Sequence, residues 1–281
     1  MKRLWESNPV RFLREIVELY FSARVSRSAA ELAYFLILTF FPILICVNAF
    51  VGALDLDISA VLAQVERFLP GGVAAILADY VGYITANQTT GMLLTGLFMT
   101  LVSASAAVRA LMKIMDDIYG KPNYPGPWSV VVSVGFSLLL LITMYLSIVV
   151  LLTGNWFLQL LGRFLPIRAA LWDWQWLRFV ILFALVLVFI LLLYRVSAPI
   201  GRPRPPVLTG AVLAAVTLAG ASVLFSWFIG MSSRYSMVYG SLASVIILLI
   251  WLYLCGNILI LGNVFNCVWY RRKKAKYNKR Q

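Results

Sequence analysis

The sequence predicts an all-α polytopic membrane protein, a bundle of six transmembrane helices with the N- and C-termini in the cytoplasm. Three observations predict it. First, 62% of the 281 residues are hydrophobic and 12% charged, whereas a soluble domain carries about 25% charged residues and roughly 45–50% apolar ones. Second, six apolar runs are each long enough, at ~1.5 Å per residue, to cross a hydrocarbon core about 30 Å thick. Third, the basic residues fall between those runs and at both ends. With the N-terminus inside, Arg67, Arg163, Arg168, Arg178 and Arg234 lie outside and the remaining nineteen of the 24 Lys and Arg lie inside. That asymmetry is what the positive-inside rule describes. A net charge of +13 distributed this way marks topology, so no nucleic-acid partner is expected.

Residues 1–27 read as a basic amphipathic segment on the cytoplasmic surface rather than a signal peptide. Phe12, Ile16 and Leu19 share one face, and Leu13, Val17 and Tyr20 share the next. Residues 28–270 form the transmembrane domain, with spans at about 29–54, 91–110, 129–152, 177–196, 207–230 and 240–269. Residues 55–90 are too dilute in apolar side chains for another span, and Pro70-Gly71-Gly72 divides them into two short amphipathic helices, the second at 73–85. The 154–176 loop carries Trp156, Phe157, Trp172, Trp174 and Trp176, residues suited to the headgroup level. Pro199, Pro203, Pro205 and Pro206 end the fourth span. A basic cytoplasmic tail, 271–281, closes the chain.

Polar residues inside the spans are the informative ones, because the bilayer makes them expensive. Glu31 is the acidic residue placed within an apolar run. The bland reading pairs it with Arg27 at i,i+4, and the functional one makes it a titratable site at a cavity mouth, below a kink at Pro42. Arg109 shares a face with Asp116, and Lys113 precedes Asp117 by four, which suggests ion pairs at the cytoplasmic rim. A lipid phosphate is the functional alternative for Arg109. On the last span Gly240, Ser244, Cys255, Gly262 and Asn266 form one stripe, either a helix-packing seam or a lining face. Asn257 and Asn263 lie off it and could bridge helices.

Catalytic signals are poor, and no enzyme is expected. The chain has no histidine, which removes the commonest general base and metal ligand. GxSxG, Walker A and HExxH patterns are absent. Asp116-Asp117 alone is weak support for a two-metal nuclease. No cofactor or metal is implied. Cys46, Cys255 and Cys267 fall in or beside apolar runs and read as packed thiols.

Two stretches carry a resemblance. Ser28-Ala29-Ala30-Glu31-Leu32-Ala33-Tyr34-Phe35 with Phe40-Phe41-Pro42, and Tyr239-Gly240-Ser241-Leu242-Ala243 with Leu249-Ile250-Trp251-Leu252-Tyr253, resemble the opening and closing motifs of the YihY / virulence factor BrkB family of bacterial inner-membrane proteins. Some members were formerly labelled ribonuclease BN. The resemblance implies a multi-pass protein of the bacterial cell membrane, often guessed to be a transporter, and it carries over no catalytic or binding residues.

The leading expectation is transport or export of a lipid or other hydrophobic envelope component. The alternatives are an ion- or proton-coupled transporter using Glu31, and a scaffold that does not transport; a membrane ribonuclease is disfavoured. Candidate lining residues are Glu31, Pro42, Arg109, Ser244, Asn257, Asn263 and Asn266. Expected partners are membrane lipids, with anionic lipid at the basic termini, and a homo-oligomer is compatible with the sequence.

Overall fold

Length and hydropathy separate two short helices from six long ones. The computed structural model describes residues 8–53, 71–86, 89–120, 126–152, 174–198, 205–230 and 242–278. Among these are eight α-helices and no strand: α1 (Asn8–Ser22), α2 (Val25–Ala53), α3 (Gly71–Ala86), α4 (Thr90–Tyr119), α5 (Pro127–Leu152), α6 (Trp174–Ser197), α7 (Leu208–Gly230) and α8 (Leu242–Asn278). Six of them are long and apolar enough to cross a membrane, over Val25–Ala49, Thr90–Tyr119, Pro127–Ser147, Phe179–Ser197, Leu208–Phe228 and Val245–Lys273. The all-helical, six-span fold class is therefore the one the composition predicts. The short helix expected before Pro70, residues 154–173 of the expected aromatic loop and the loop before α8 lie outside the described residues, and Trp174 and Trp176, expected in that loop, instead form the first turn of α6.

Two helices differ from the expected bounds for local reasons. The charges at Arg109 and Lys113 suggested an end near residue 110, but α4 continues to Tyr119. Arg109 folds back onto serines (below), and the buried Leu111, Met112, Ile114, Met115 and Ile118 keep the last turns packed. The stop comes at Gly120, whose φ of 69° suits a residue without Cβ and whose N–H reaches the Asp116 carbonyl at 2.8 Å. At the other end the Thr89 hydroxyl accepts from Met92 N–H at 3.2 Å. Helix α8 likewise runs on through Arg271–Lys274 to Asn278, so part of the basic tail is helical. Helix α2 continues through Pro42, although proline supplies no N–H to the ladder.

The main core gathers Val25, Ala29 and Leu32 of α2, Leu111 to Ile118 of α4, Phe136 of α5, Leu193 of α6, and Ile260, Val264 and Cys267 of α8. A second cluster joins Ile190 and Tyr194 of α6 to Ala211, Ala214 and Ala215 of α7 and Ile258 of α8. Helix α8 is the hub, in contact with α1, α2, α3, α4 and α7. The contact between α1 and the C-terminal turns of α8 brings the two described ends of the chain to one end of the bundle. Arg272 Nε lies 2.8 Å from Glu15 Oε2 there, and Arg272 sits 5.0 Å over the Phe12 ring.

Candidate functional site

The polar groups of α8 are positioned by helical register, and each goes to a different neighbour. Asn257 Oδ1 accepts from Tyr20 of α1 at 2.9 Å, while its Nδ2 donates to the Tyr253 carbonyl at 3.0 Å. Asn263 is fully buried; its Oδ1 accepts from Tyr119 at 2.9 Å, and its Nδ2 points to Met115 Sδ. Asn266 reaches the first turn of α7, accepting from Gly210 N–H at 2.8 Å and donating to the Val207 carbonyl at 3.2 Å. That satisfies one of the backbone N–H groups that a helix start leaves without an internal partner.

This crossing is close. A Cβ on Gly210 would sit 2.1 Å from Gly262 O, and one on Gly262 would sit 2.8 Å from Gly210 O. Only a residue without a Cβ lets two backbones approach this far. Gly262 and Asn266 therefore belong to a packing seam. Tyr194 of α6 closes it, with its hydroxyl on the Leu259 carbonyl.

The exposed candidates behave differently. Glu31 lies on the outer face of α2, exposed, as is Arg27. The ion pair expected between them is not among those formed by the described residues, which join Arg11 and Arg272 to Glu15 and Arg14 to Glu18. Pro42 is half-buried on α2, and the side chain of Ser244 lies outside the described ones.

Arg109 is the exception among the spans. Its Nη1 donates to Ser105 Oγ of the same helix at 3.1 Å and to Ser133 Oγ of α5 at 3.2 Å. Both hydroxyls spend their own protons on their helices, Ser105 on Val102 O at 2.9 Å and Ser133 on Val130 O at 2.8 Å. Their lone pairs are thus fixed toward the guanidinium. Neutral acceptors can hold a cation in place without neutralising it. Arg109 forms no ion pair within the described residues, and Lys113 and Asp117 of the expected rim pair are exposed. By helix rise Ser133 lies about 9 Å along α5 from Pro127, and Arg109 about 15 Å along α4 from Tyr119. Ser133 is fully buried, as is Ser137, which bonds back to the Ser133 carbonyl at 2.9 Å. A half-buried guanidinium, held by two serines inside two membrane-length helices, can receive an anionic oxygen on its remaining donors.

Sequence reasoning found Arg109 but missed its holders. Ser105 could have been noticed, since it precedes Arg109 by one helical turn. Ser133 gave no signal, because the register of α4 against α5 is a tertiary property.

A family model described as virulence factor BrkB matches residues 16–281. The chain belongs to that family. A relative from Bacillus subtilis named putative ribonuclease-like protein YfkH is 28% identical over 268 residues, covering 94% of this chain and 96% of the relative. A UPF0761 membrane protein of Aromatoleum aromaticum is 27% identical, covering 89% of this chain and 61% of its own length. Another, from Alkalilimnicola ehrlichii, is 27% identical, covering 91% and 59%. The chain thus spans about three fifths of these two longer relatives. No solved structure matches it. Family and helices together identify a multi-pass membrane protein of the BrkB/UPF0761 group.

Proposed function

We propose that the protein moves an anionic amphiphile of the cell envelope between the leaflets of the membrane, with Arg109 receiving its headgroup. The observation that carries this reading is the Arg109 guanidinium, fixed by Ser105 and Ser133 without a carboxylate partner. An intramembrane charge is costly, on the order of 2.5–3.5 kcal/mol at a helix centre on insertion scales. A mobile anion that visits the site would offset that cost only while bound, as a carrier requires.

The proton-coupled alternative rests on Glu31, which is exposed on α2. An unchanged pH dependence of transport in Glu31→Gln would count against it. The printed name of YfkH keeps a nuclease as the rival reading, which incubation of the purified protein with a structured RNA addresses directly. The transport reading is tested in reconstituted vesicles carrying fluorescent phosphatidylglycerol or phosphatidylcholine. Faster exchange of the anionic lipid than in protein-free vesicles is expected. Exchange no faster than in empty vesicles, for both lipids, overturns it.

A further inference from the structure

Helix α1 has three sectors, and two of them are accounted for within the protein. At about 100° per residue, Phe12, Ile16, Leu19, Tyr20 and Ala23 fall within one sector, and all five pack on the main core. Phe12 sets its edge against Phe265 at 5.1 Å and Trp269 at 6.3 Å. Arg11, Arg14, Glu15 and Glu18 make up the opposite sector, and their charges pair with one another or with Arg272. Between these sectors runs a row of Leu13, Val17 and Phe21, which are 62%, 51% and 72% exposed.

The row is not a continuation of a span. Helix α1 has 15 residues, about 22 Å of helix and less than the bilayer core. At its C-terminal end the row meets Arg24 and Arg27, both exposed and both without an ion pair among the described residues. Arg24 makes the turn into α2 with φ of 54°, a left-handed conformation uncommon for a residue with a side chain. Exposed Trp269 of α8 lies at the same end of the bundle, where aromatic residues mark a headgroup level.

We infer that α1, which packs along α8 from Phe265 to Asn257, turns Leu13, Val17 and Phe21 toward the acyl boundary of a leaflet rich in anionic lipid. Arg24 and Arg27 then sit among the headgroup phosphates. The three sectors match the three surroundings of an amphipathic helix at an interface: protein on one side, acyl chains on the next, headgroups and water on the third. Charge complementarity selects the leaflet, since unpaired cations beside an apolar row favour anionic headgroups over neutral ones. The inference is independent of what the protein carries.

The test uses the full chain in vesicles, with Cys46, Cys255 and Cys267 replaced by Ala. Single nitroxide labels are placed through Leu13→Cys, Val17→Cys and Phe21→Cys, with Arg14→Cys and Glu18→Cys as references. All five sites are exposed, so labelling leaves the packed face of α1 intact. Labels at 13, 17 and 21 are expected to relax faster with oxygen than with an aqueous nickel chelate, and labels at 14 and 18 the reverse. The contrast at Phe21 should be larger in phosphatidylglycerol vesicles than in phosphatidylcholine, and Arg24→Gln with Arg27→Gln should remove that difference. Nickel access at 13, 17 and 21 equal to that at 14 and 18 would place the row in water. Shielding from both relaxers would mean that a protein surface covers it. Either result overturns the inference, and identical contrast in the two lipids overturns its anionic component.

Discussion

The α7–α8 crossing and the α4–α5 pair both bury polar groups inside membrane-spanning helices, and they treat them in opposite ways. At the crossing every donor meets an acceptor: Asn266 closes on Val207 and Gly210, and Gly262 lets the backbones touch. At α4–α5 the hydroxyls of Ser105 and Ser133 hold Arg109, but the charge itself is left uncompensated. The first arrangement closes on itself. The second leaves a charge that, on the proposed function, an anionic headgroup would meet. The difference separates polar groups that fix the fold from one proposed to receive a ligand.

The largest stability effect is expected at the crossing. Gly210→Ala puts a methyl 2.1 Å from Gly262 O, a backbone atom that cannot swing aside, so overpacking should cost roughly 3 kcal/mol. The loss would appear as a lowered midpoint in detergent unfolding. Asn266→Leu comes next. It leaves the Gly210 N–H and the Val207 carbonyl without their side-chain partner, which should cost about 1–3 kcal/mol in the same measurement.

Arg109→Gln tests the other side of the comparison. Glutamine can still donate to Ser105 or Ser133 while removing the charge. Stability should stay within about 1 kcal/mol of wild type or rise, because the cost of an intramembrane cation is relieved. Anionic-lipid exchange should fall to the protein-free rate. A midpoint lowered as far as in Asn266→Leu would make Arg109 a structural residue and erase the contrast.

Glu15 gives the smallest effect. Its hydrogen bond to Arg272 holds the carboxyl below its ordinary value. A depressed acid adds stability that is present above that ordinary value and lost as pH falls through the lowered one. Acidification below about pH 4.5, the unperturbed carboxylate value, should therefore loosen α1 from α8, read as faster proteolysis within α1. Because Glu15 is partly exposed, the change should be slight, and Glu15→Gln should reproduce it at neutral pH.

What was legible in the sequence follows from the physics of each feature. The six spans were legible because a bilayer imposes length and apolarity on contiguous residues. The end of α4 was not, because Arg109 and Lys113 read locally as a membrane rim, while packing of Met112, Met115 and Ile118 carries the helix on. The small stripe of α8 indicated packing, but its partner Gly210 depends on how α7 crosses α8. Glu31 stood out because an acid in an apolar run is conspicuous. Its exposed placement is set by the rotation of α2 within the bundle, which periodicity cannot supply. Arg109 was visible as a charge, whereas its lack of an ion pair emerged only from the tertiary register that brings Ser133 to it.

The central claim is that Arg109 is kept for a ligand and not for the fold. One paired measurement tests it most directly: unfolding midpoint and phosphatidylglycerol exchange for Arg109→Gln and Asn266→Leu, reconstituted side by side. The account predicts that Arg109→Gln keeps its midpoint and loses exchange, while Asn266→Leu loses midpoint and retains exchange per folded molecule. Exchange by Arg109→Gln at the wild-type rate, in vesicles where the wild type is active, would contradict it.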